Sequence, residues 1–244
     1  MNSFEIISGS SCKISTGLIV KHFKVKEILE FGEGNFDTSN SLFCYTPFDM
    51  IDVLFKSNID YAILSNYDLF NILFPTYYNE KSIKLVINTF LGLEKDFEIV
   101  QVKDDSDKYY YLDKKLSKII IDEESYLQIR EFLFDIINFK NKKEEKFANN
   151  ITKEMYIENL IEEKEFDNEK DKTERSPFLG LITTVVLELG YRYEEVLDLY
   201  IYQFYSLVNK IVKRQEYNNV MTGIYSGNVD SKKINMADYS WLID

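Results

Sequence analysis

The stretch "DFEIVQVKDDSDKYYYLDKKLSKIIIDEESYLQIREFLFDIINF" (residues 96–139) decides the fold class. It begins with three short runs rich in β-branched and aromatic residues, separated by the turn-forming segments "KDDSD" and "DKK". This pattern predicts a small antiparallel meander. A helix is predicted to follow directly, with Asp122 as its N-cap. Its expected apolar face consists of Tyr126, Ile129, Leu133, Ile136 and Ile137.

Upstream of this stretch, the sequence predicts a β-hairpin and four helices. The hairpin pairs "FEII" (4–7) with "GLIVKHF" (17–23) across the turn-rich segment "SGSSCKIST". The helices are predicted from their apolar spacing and their end signals. They are "VKEILEFGE" (25–33), "TPFDMIDVLFKSN" (46–58), "SNYDLFNILFP" (65–75) and "NEKSIKLVINTFLG" (79–92).

End signals and apolar spacing fix the details of these four helices. The first is expected to bury Val25, Ile28 and Leu29. Side-chain caps, a first-turn proline and terminating Gly or Pro residues are the other signals. Thr46 is an expected cap with Pro47 at the first helical position, and either Ser65 or Asn66 is the expected cap of the next helix. The expected stops are Gly32, Pro75 and Gly92.

Downstream, the chain becomes strongly charged and then strongly apolar. Within residues 140–175, one solvated helix ("TKEMYIENLIEEKEF", 152–166) and a flexible linker (167–175) are expected. Ser176 is predicted to cap an almost wholly apolar, buried helix that ends at Gly190, and one long helix is predicted from Tyr193 to Tyr225. The sequence thus predicts a predominantly α-helical α+β protein with its strands before about Asp122. Its predicted parts are an α+β domain (1–139), a charged linker or solvated helix (140–175) and a helical domain (176–244).

Composition and charge restrict the kinds of partner. The chain has 244 residues, of which 45% are hydrophobic and 15% aromatic, enough for a sizeable core. A formal net charge of −12 opposes nucleic-acid binding, and the basic segment "KNKKEEK" (140–146) is interrupted by two glutamates. No run approaches the roughly 18 apolar residues of a membrane span, so no membrane contact is expected. Two cysteines without a CxxC spacing, Cys12 and Cys44, and the lack of a leader pattern predict a soluble intracellular protein.

The sequence offers little that favours catalysis. The single histidine, His22, has no Ser/His/Asp or Cys/His signature around it, and a structural or surface role is the prediction. "FGEGNFD" (31–37) lacks the third glycine of a dinucleotide loop and the lysine of a P-loop, so it predicts a turn after a helix. No catalytic residue, metal or cofactor is expected. A catalytic pair of carboxylates, as in glycosidases, leaves no local sequence motif, so this kind of site stays open.

The C-terminal stretch "NNVMTGIYSGNVDSKKINMADYSWLID" (218–244) is the candidate binding segment. Gly223 and Gly227 are expected to break the long helix, and the segment from Gly223 to Asp244 is expected to be ordered. Large apolar residues are concentrated in this short span, where they suit either a partner's surface or the protein's own C-terminal helices. The candidate partner-binding residues are Tyr225, Ile234, Met236, Tyr239 and Trp241.

Three stretches, in this order, resemble proteins of the tail gene module of tailed phages and prophages of Gram-positive bacteria. They are "FKVKEILEFGEGNF" (23–36), "YTPFDMIDVLFKSNIDYAILSNYDLFNILF" (45–74) and "IYQFYSLVNKIVKRQEYNNVMTGIYSGNVDSKKINMADYSWLID" (201–244). The chain looks most like a tail assembly chaperone, although many of those proteins are shorter.

The resemblance implies a non-enzymatic protein of the host bacterial cytoplasm. Its partner would be the phage tape measure protein or another tail protein, and self-association stays open. Aromatic and aliphatic surface suits amphipathic helices, and an acidic exterior keeps such a complex dissolved. Two alternatives remain: a structural virion component, such as a tail or head-tail connector subunit, and a phage inhibitor of a host defence protein.

Overall fold

A computed structural model describes residues 3–105, 107–137, 139, 141–170, 176–230 and 234–240. Within these ranges the protein is mostly helical, and both of its small antiparallel sheets precede Asp122, so the predicted α+β class is confirmed. No helix in the described ranges is long and apolar enough to cross a membrane. In chain order the elements are α1 (Ser3–Ile7), β1 (Cys12–Lys13), β2 (Ile19–Val20), α2 (Val25–Phe31), α3 (Glu33–Cys44), α4 (Ile51–Lys56), a 3₁₀ turn (Tyr61–Ile63), α5 (Asn66–Tyr78), α6 (Lys81–Phe90), β3 (Ile99–Lys103), β4 (Tyr109–Asp113), β5 (Ile119–Ile121), α7 (Glu123–Ile137), α8 (Asn150–Lys170), α9 (Pro177–Leu189), α10 (Tyr193–Leu197), α11 (Ile201–Tyr225) and a second 3₁₀ turn (Met236–Tyr239).

The meander forms as predicted, in the order β3–β4–β5. Ile99 pairs with Asp113, and Tyr111 pairs with Ile121, in antiparallel register. Asp122 then caps α7, because its Oδ1 accepts a hydrogen bond from the Ser125 backbone N–H at 2.8 Å. The side chains of Tyr111 and Ile121 are fully buried, so the sheet packs one face into the core.

The N-terminal hairpin was assigned to the wrong residues. "FEII" lies in α1, and the hairpin pairs β1 with β2 instead. Gly9, at φ 71°, follows α1. A Cβ at this position would lie 2.2 Å from Cε2 of Tyr200. The chain therefore turns where a distant aromatic ring covers the glycine, a tertiary contact that no local pattern reveals.

The segment "FGEGNFD" was predicted as a turn, but only Gly32 lies outside a helix: Phe31 ends α2, and Glu33 begins α3, a helix that the sequence did not predict. Gly32 makes the junction at φ 85°. Glu33 accepts hydrogen bonds from the Ser176 hydroxyl and, at 3.1 Å, from the Phe178 backbone N–H, so it caps α9 from a distance. One detail of the prediction is wrong: Leu29 is exposed because the buried face of α2 carries Val25 and Ile28.

Thr46 and Asp49 bond each other as a cap should, but α4 begins later than predicted. The Thr46 hydroxyl donates to Asp49 Oδ2 at 2.6 Å and accepts from the Asp49 N–H at 3.2 Å. These bonds close a turn, and regular helix starts only at Ile51. Asp49 also accepts bonds from the Asn141 side chain and the Lys142 N–H, each at 2.7 Å, which anchors the segment after α7.

Pro75 does not end α5, contrary to the prediction. The helix continues to Tyr78, with its N-cap at Ser65 as predicted. Proline removes the N–H that would bond the Asn71 carbonyl. Nε2 of Gln101, on β3, donates to that carbonyl at 3.0 Å in its place. A side chain of the sheet thus bonds the carbonyl that proline leaves without a donor, and the helix continues past Pro75.

Helix α8 extends beyond the predicted solvated helix. It runs to Lys170, so residues 167–170, predicted as flexible linker, are helical. Residues 171–175 of that predicted linker lie outside the described residues. α8 packs against α4 through a small cluster of its own.

Two predictions for the C-terminal part are wrong. The helix predicted from Tyr193 to Tyr225 is broken between α10 and α11, because the Leu199 carbonyl accepts from the Val25 N–H at 3.0 Å and the Ile201 N–H donates to the Phe23 carbonyl at 2.9 Å. α9 begins at its Ser176 cap and ends at Gly190 as predicted, yet it is not a buried helix. Only three of its residues are buried: Phe178, Ile182 and Val185.

One large core joins the first and last parts of the chain. Its centre is a group of contacting aromatic rings from α3, α5, β4 and α7. Residues of α9 and α11 belong to the same cluster. The three-part division of the chain stays a prediction. The central rings are Phe43, Phe70, Phe74, Tyr111 and Tyr126.

Candidate partner-binding surface

The second half of α11 projects beyond the core. Ile201, Phe204 and Ile211 are its buried residues, and they lie in its first eleven positions. The following residues, 212–225, span about 20 Å at the α-helical rise and include no buried residue. Tyr225, at the end, is 82% exposed. We call residues 212–230 and 234–240 the distal arm.

The chain folds back on itself after α11. The N–H groups of Asn228 and Val229 both donate to the Gly223 carbonyl, at 3.0 and 3.1 Å. A Cβ on Gly223 would lie 2.7 Å from Cγ2 of Val229. Gly223 is therefore a contact point inside the helix, not the predicted break; Gly227, at φ 75°, makes the turn.

The predicted partner-binding residues fall into three groups. Met236 and Tyr239 lie on the 3₁₀ turn that packs against α11, and they are half-buried, as is Ile234. Tyr225 stands exposed at the end of the helix. Trp241 lies outside the described residues. The return segment thus covers part of α11, which favours packing on the protein's own helix for the residues that are described.

Sequence reasoning missed the outer face of α9. Leu179 and Leu187 are 51% and 77% exposed, and Thr183 lies between them at four-residue spacing on the same face. The one charged side chain of α9, Glu188, is engaged by Arg214 of α11 at 2.7 Å. A helix that is apolar all round is normally buried, so its sequence carried the signal, but burial was wrongly assigned to the protein's own core.

A small apolar groove lies where α9 meets the distal arm. It has a volume of about 80 Å³ and is lined by Leu189, Leu207 and Ile211, with Lys210 and Arg214 at its rim. Beyond it, Tyr191 and Tyr193 are also exposed. The outer face of α9 and the start of the arm therefore adjoin, and together they form the candidate surface.

A larger cavity lies elsewhere, between the first turns of α5 and α7. It measures about 620 Å³ and is lined by tyrosines and carboxylates. Two of those carboxylates serve as helix caps: Asp68 accepts from the Ser65 N–H, and Asp122 from the Ser125 N–H, each at 2.8 Å. Among the described residues, no group of three or more His, Cys, Asp or Glu could hold a metal ion.

The groups most often used in catalysis are placed in the core. His22 packs edge-on against Phe132 and Tyr200, with ring centroids 5.0 and 5.8 Å away. Burial lowers its pKa to about 4, so the imidazole is neutral at physiological pH. Burial also raises the pKa of the Cys44 thiol to about 12, which keeps it protonated. These two side chains act as packing residues.

Comparison with known proteins adds one finding. No curated protein and no solved structure shows a significant match to the chain. Residues 172–244, less than a third of the chain, match the family model described as YomV second domain. The matched region contains α9, α10, α11 and the distal arm, so the candidate surface lies in the part of the chain that is similar to the YomV second domain.

Proposed function

We propose that the protein is a non-enzymatic phage tail assembly chaperone of the host cytoplasm, which holds an apolar helix of the tape measure protein against the outer face of α9 and the adjoining distal arm. The observation that carries the proposal is the exposure of Leu179 and Leu187 on a helix that presents no unpaired charge. Burying such side chains under a partner stabilises a complex by roughly 25 cal/mol per Å² of apolar area.

The charge distribution supports this assignment. A net charge of −12 keeps the protein dissolved and keeps copies of it apart. An uncharged helix face on such a protein suits an apolar helix of a different chain, laid into it by side chains at i, i+4 and i+8. The family matched by residues 172–244 is of phage origin, which fits a role in phage morphogenesis.

The direct test is co-expression with the tape measure protein of the same genome, followed by affinity capture. Leu187→Asp should abolish capture, because it places a charge in the middle of the proposed contact. Leu116→Asp is the matched control: Leu116 is 76% exposed, like Leu187, but follows β4 on another part of the molecule. Equal capture by both variants would contradict the proposed surface, and no capture by the unmodified protein would contradict the proposed partner.

Purified phage particles separate the chaperone from a structural subunit. A chaperone leaves before the virion is complete, so mass spectrometry of particles should not detect the chain. Detection of the chain in stoichiometric amounts would favour the alternative that it is a structural tail or connector component. Recovery of a host protein instead of a tail protein from infected cells would favour the inhibitor alternative. The gene should lie between those of the major tail protein and the tape measure protein.

A further inference from the structure

Helix α8 is held to the body of the protein by few apolar contacts. Among residues 150–166 of α8, whose burial is described, Ile157 alone is buried, and it forms a three-residue cluster with Phe48 and Ile51, separate from the main core. Leu160 and Ile161 are partly buried against this cluster. With one fully buried side chain between residues 150 and 166, this part of α8 gains little of the apolar burial that keeps the other long helices in place.

Tyr156 of α8 also stacks on Phe48, with ring centroids 6.3 Å apart, and Lys153 Nζ lies 4.5 Å from the centroid of the Tyr61 ring. Ion pairs add further contacts between α8 and the α4 region. Lys153 reaches Asp60 at 2.8 Å, Lys164 reaches Asp52 at 2.6 Å, and Glu165 meets Lys56 at 3.2 Å. Most of these side chains are open to solvent. Exposed pairs contribute about 0–1 kcal/mol each and weaken with salt.

The apolar residues of α8 do not match the groove they could fill. A cavity of about 290 Å³ lies beside Ile157, and α4 and the residues after it line it with Ile51, Phe55 and Ile59. Asn58, Asp60 and Tyr61 complete that wall. On the α8 side the same cavity is lined by Asn150, Lys153, Glu154 and Ile157. The next residues along, Ile151 and Met155, are exposed instead. α8 thus places Asn150 and Glu154 at a cavity that Ile51, Phe55 and Ile59 also line, while its Ile151 and Met155 are exposed to water.

We propose that α8 is a displaceable occupant of the α4 groove, and that the groove accepts in its place an amphipathic helix of a partner protein with apolar residues at i, i+4, i+7 and i+11. These positions correspond to residues 150, 154, 157 and 161 of α8, of which α8 itself provides only Ile157 and Ile161. A helix with all four fills the cavity and covers Phe55. This inference concerns a surface distinct from α9 and the distal arm, and it stands whether or not the proposed function holds.

The ion pairs define the flanking chemistry of that partner. Lysines at i+3 and i+14 would meet Asp60 and Asp52, and a glutamate at i+15 would meet Lys56, as Lys153, Lys164 and Glu165 do in α8. Asp52 is the most constrained of these groups, because its carboxylate is buried and Lys164 is the cation bonded to it. A partner that lacks the second lysine would leave a buried charge unpaired.

The test uses three fluorescent peptides that span residues 147–166. One has the native sequence, one carries Asn150→Leu and Glu154→Leu, and one carries Ile157→Asp in addition to both leucines. Each is titrated by anisotropy into the full chain carrying Ile157→Asp, in which the internal α8 is weakened. The doubly substituted peptide should bind about tenfold or more tightly than the native one, in keeping with two additional buried leucines. The peptide with Ile157→Asp should bind no better than the native one.

The unmodified chain provides the competition arm. Its intact α8 occupies the groove, so it should bind the doubly substituted peptide more weakly than the Ile157→Asp chain does. Placing Asn150→Leu and Glu154→Leu in the full chain should slow hydrogen exchange of the α8 amides and block the peptide. Failure of the doubly substituted peptide to bind an Ile157→Asp chain whose circular dichroism is unchanged would overturn the proposal. If the Ile157→Asp chain does not fold, the second measurement decides. An unchanged rate of hydrogen exchange at the α8 amides in the chain carrying Asn150→Leu and Glu154→Leu would then overturn the proposal.

Discussion

Helices α5 and α9 are both 13 residues long, yet they lie in opposite environments. α5 carries more polar residues but buries six side chains, among them Phe70 and Phe74. α9 is apolar along nearly its whole length and buries three. The difference lies in the surroundings. α5 packs against α3 and α6, and its Phe70 contacts Tyr111 of the meander and Tyr126 of α7. The inner face of α9 meets α10 and α11, whereas Leu179 and Leu187 on its outer face are 51% and 77% exposed. The apolar outer face of α9, with Leu179 and Leu187 exposed, is the surface that we propose a partner covers.

The largest expected difference between the two helices is in stability. Phe70 is fully buried, with its ring against those of Phe43, Tyr111 and Tyr126. Phe70→Ala should lower the free energy of unfolding by about 3–5 kcal/mol, because it removes aromatic contacts and leaves a cavity. Leu187→Ala, on the exposed face of α9, should change it by no more than about 0.5 kcal/mol. Urea denaturation followed by circular dichroism measures both. A large loss for Leu187→Ala would mean that the outer face of α9 is buried in the isolated protein.

Burial of His22 should make the free energy of unfolding depend on pH, an effect of intermediate size. His22 lies between Phe132 on α7 and Tyr200 before α11. Its pKa is lowered from 6.5 to about 4 by burial. Below pH 6.5 the His22 imidazole is protonated in the unfolded chain, whereas in the folded chain it stays neutral down to about pH 4. The free energy of unfolding therefore falls across this window, by about 3 kcal/mol in full.

His22→Phe isolates this contribution. The carboxylates titrate in both proteins, so the difference between the two stability curves reports His22 alone. The unmodified protein should lose stability relative to the variant as the pH falls from 6.5 to 4, and the difference should be constant above pH 6.5. Urea midpoints at a series of pH values provide the measurement. If the stability curves of the two proteins run parallel from pH 6.5 to 4, His22 is not buried between Phe132 and Tyr200.

What the sequence predicted well was local. The caps at Ser65, Asp122 and Ser176 and the stop at Gly190 depend on residues within a few positions of each helix end, and all four are confirmed. Two of the errors were nonlocal. Pro75 sits inside a helix because Gln101, 30 residues from Asn71, satisfies the free carbonyl. The break before α11 depends on backbone bonds to Phe23 and Val25, at the other end of the chain.

The candidate surface shows the same limit. Clustering of apolar residues near the C-terminus pointed to the distal arm. Met236 and Tyr239 do lie on the 3₁₀ turn that packs against α11, although their partner-binding role stays a prediction. The exposure of Leu179 and Leu187 was not foreseen, because periodicity shows that a face is apolar but not which molecule covers it.

The smallest expected effects come from two helical glycines that differ only in what surrounds them. Nothing lies within 4 Å of a Cβ placed on Gly180 of α9, whereas on Gly223 of α11 it would lie 2.7 Å from Cγ2 of Val229. Gly180→Ala should raise the free energy of unfolding by about 0.5–1 kcal/mol, because alanine loses less backbone entropy in a helix. Gly223→Ala has the same intrinsic gain but must displace Val229, so its net gain should be smaller or reversed. Hydrogen exchange separates the two: the amides of Asn228 and Val229, both bonded to the Gly223 carbonyl, should exchange faster in Gly223→Ala and at the original rate in Gly180→Ala. Equal exchange in the two variants would mean that the return segment does not rest on Gly223.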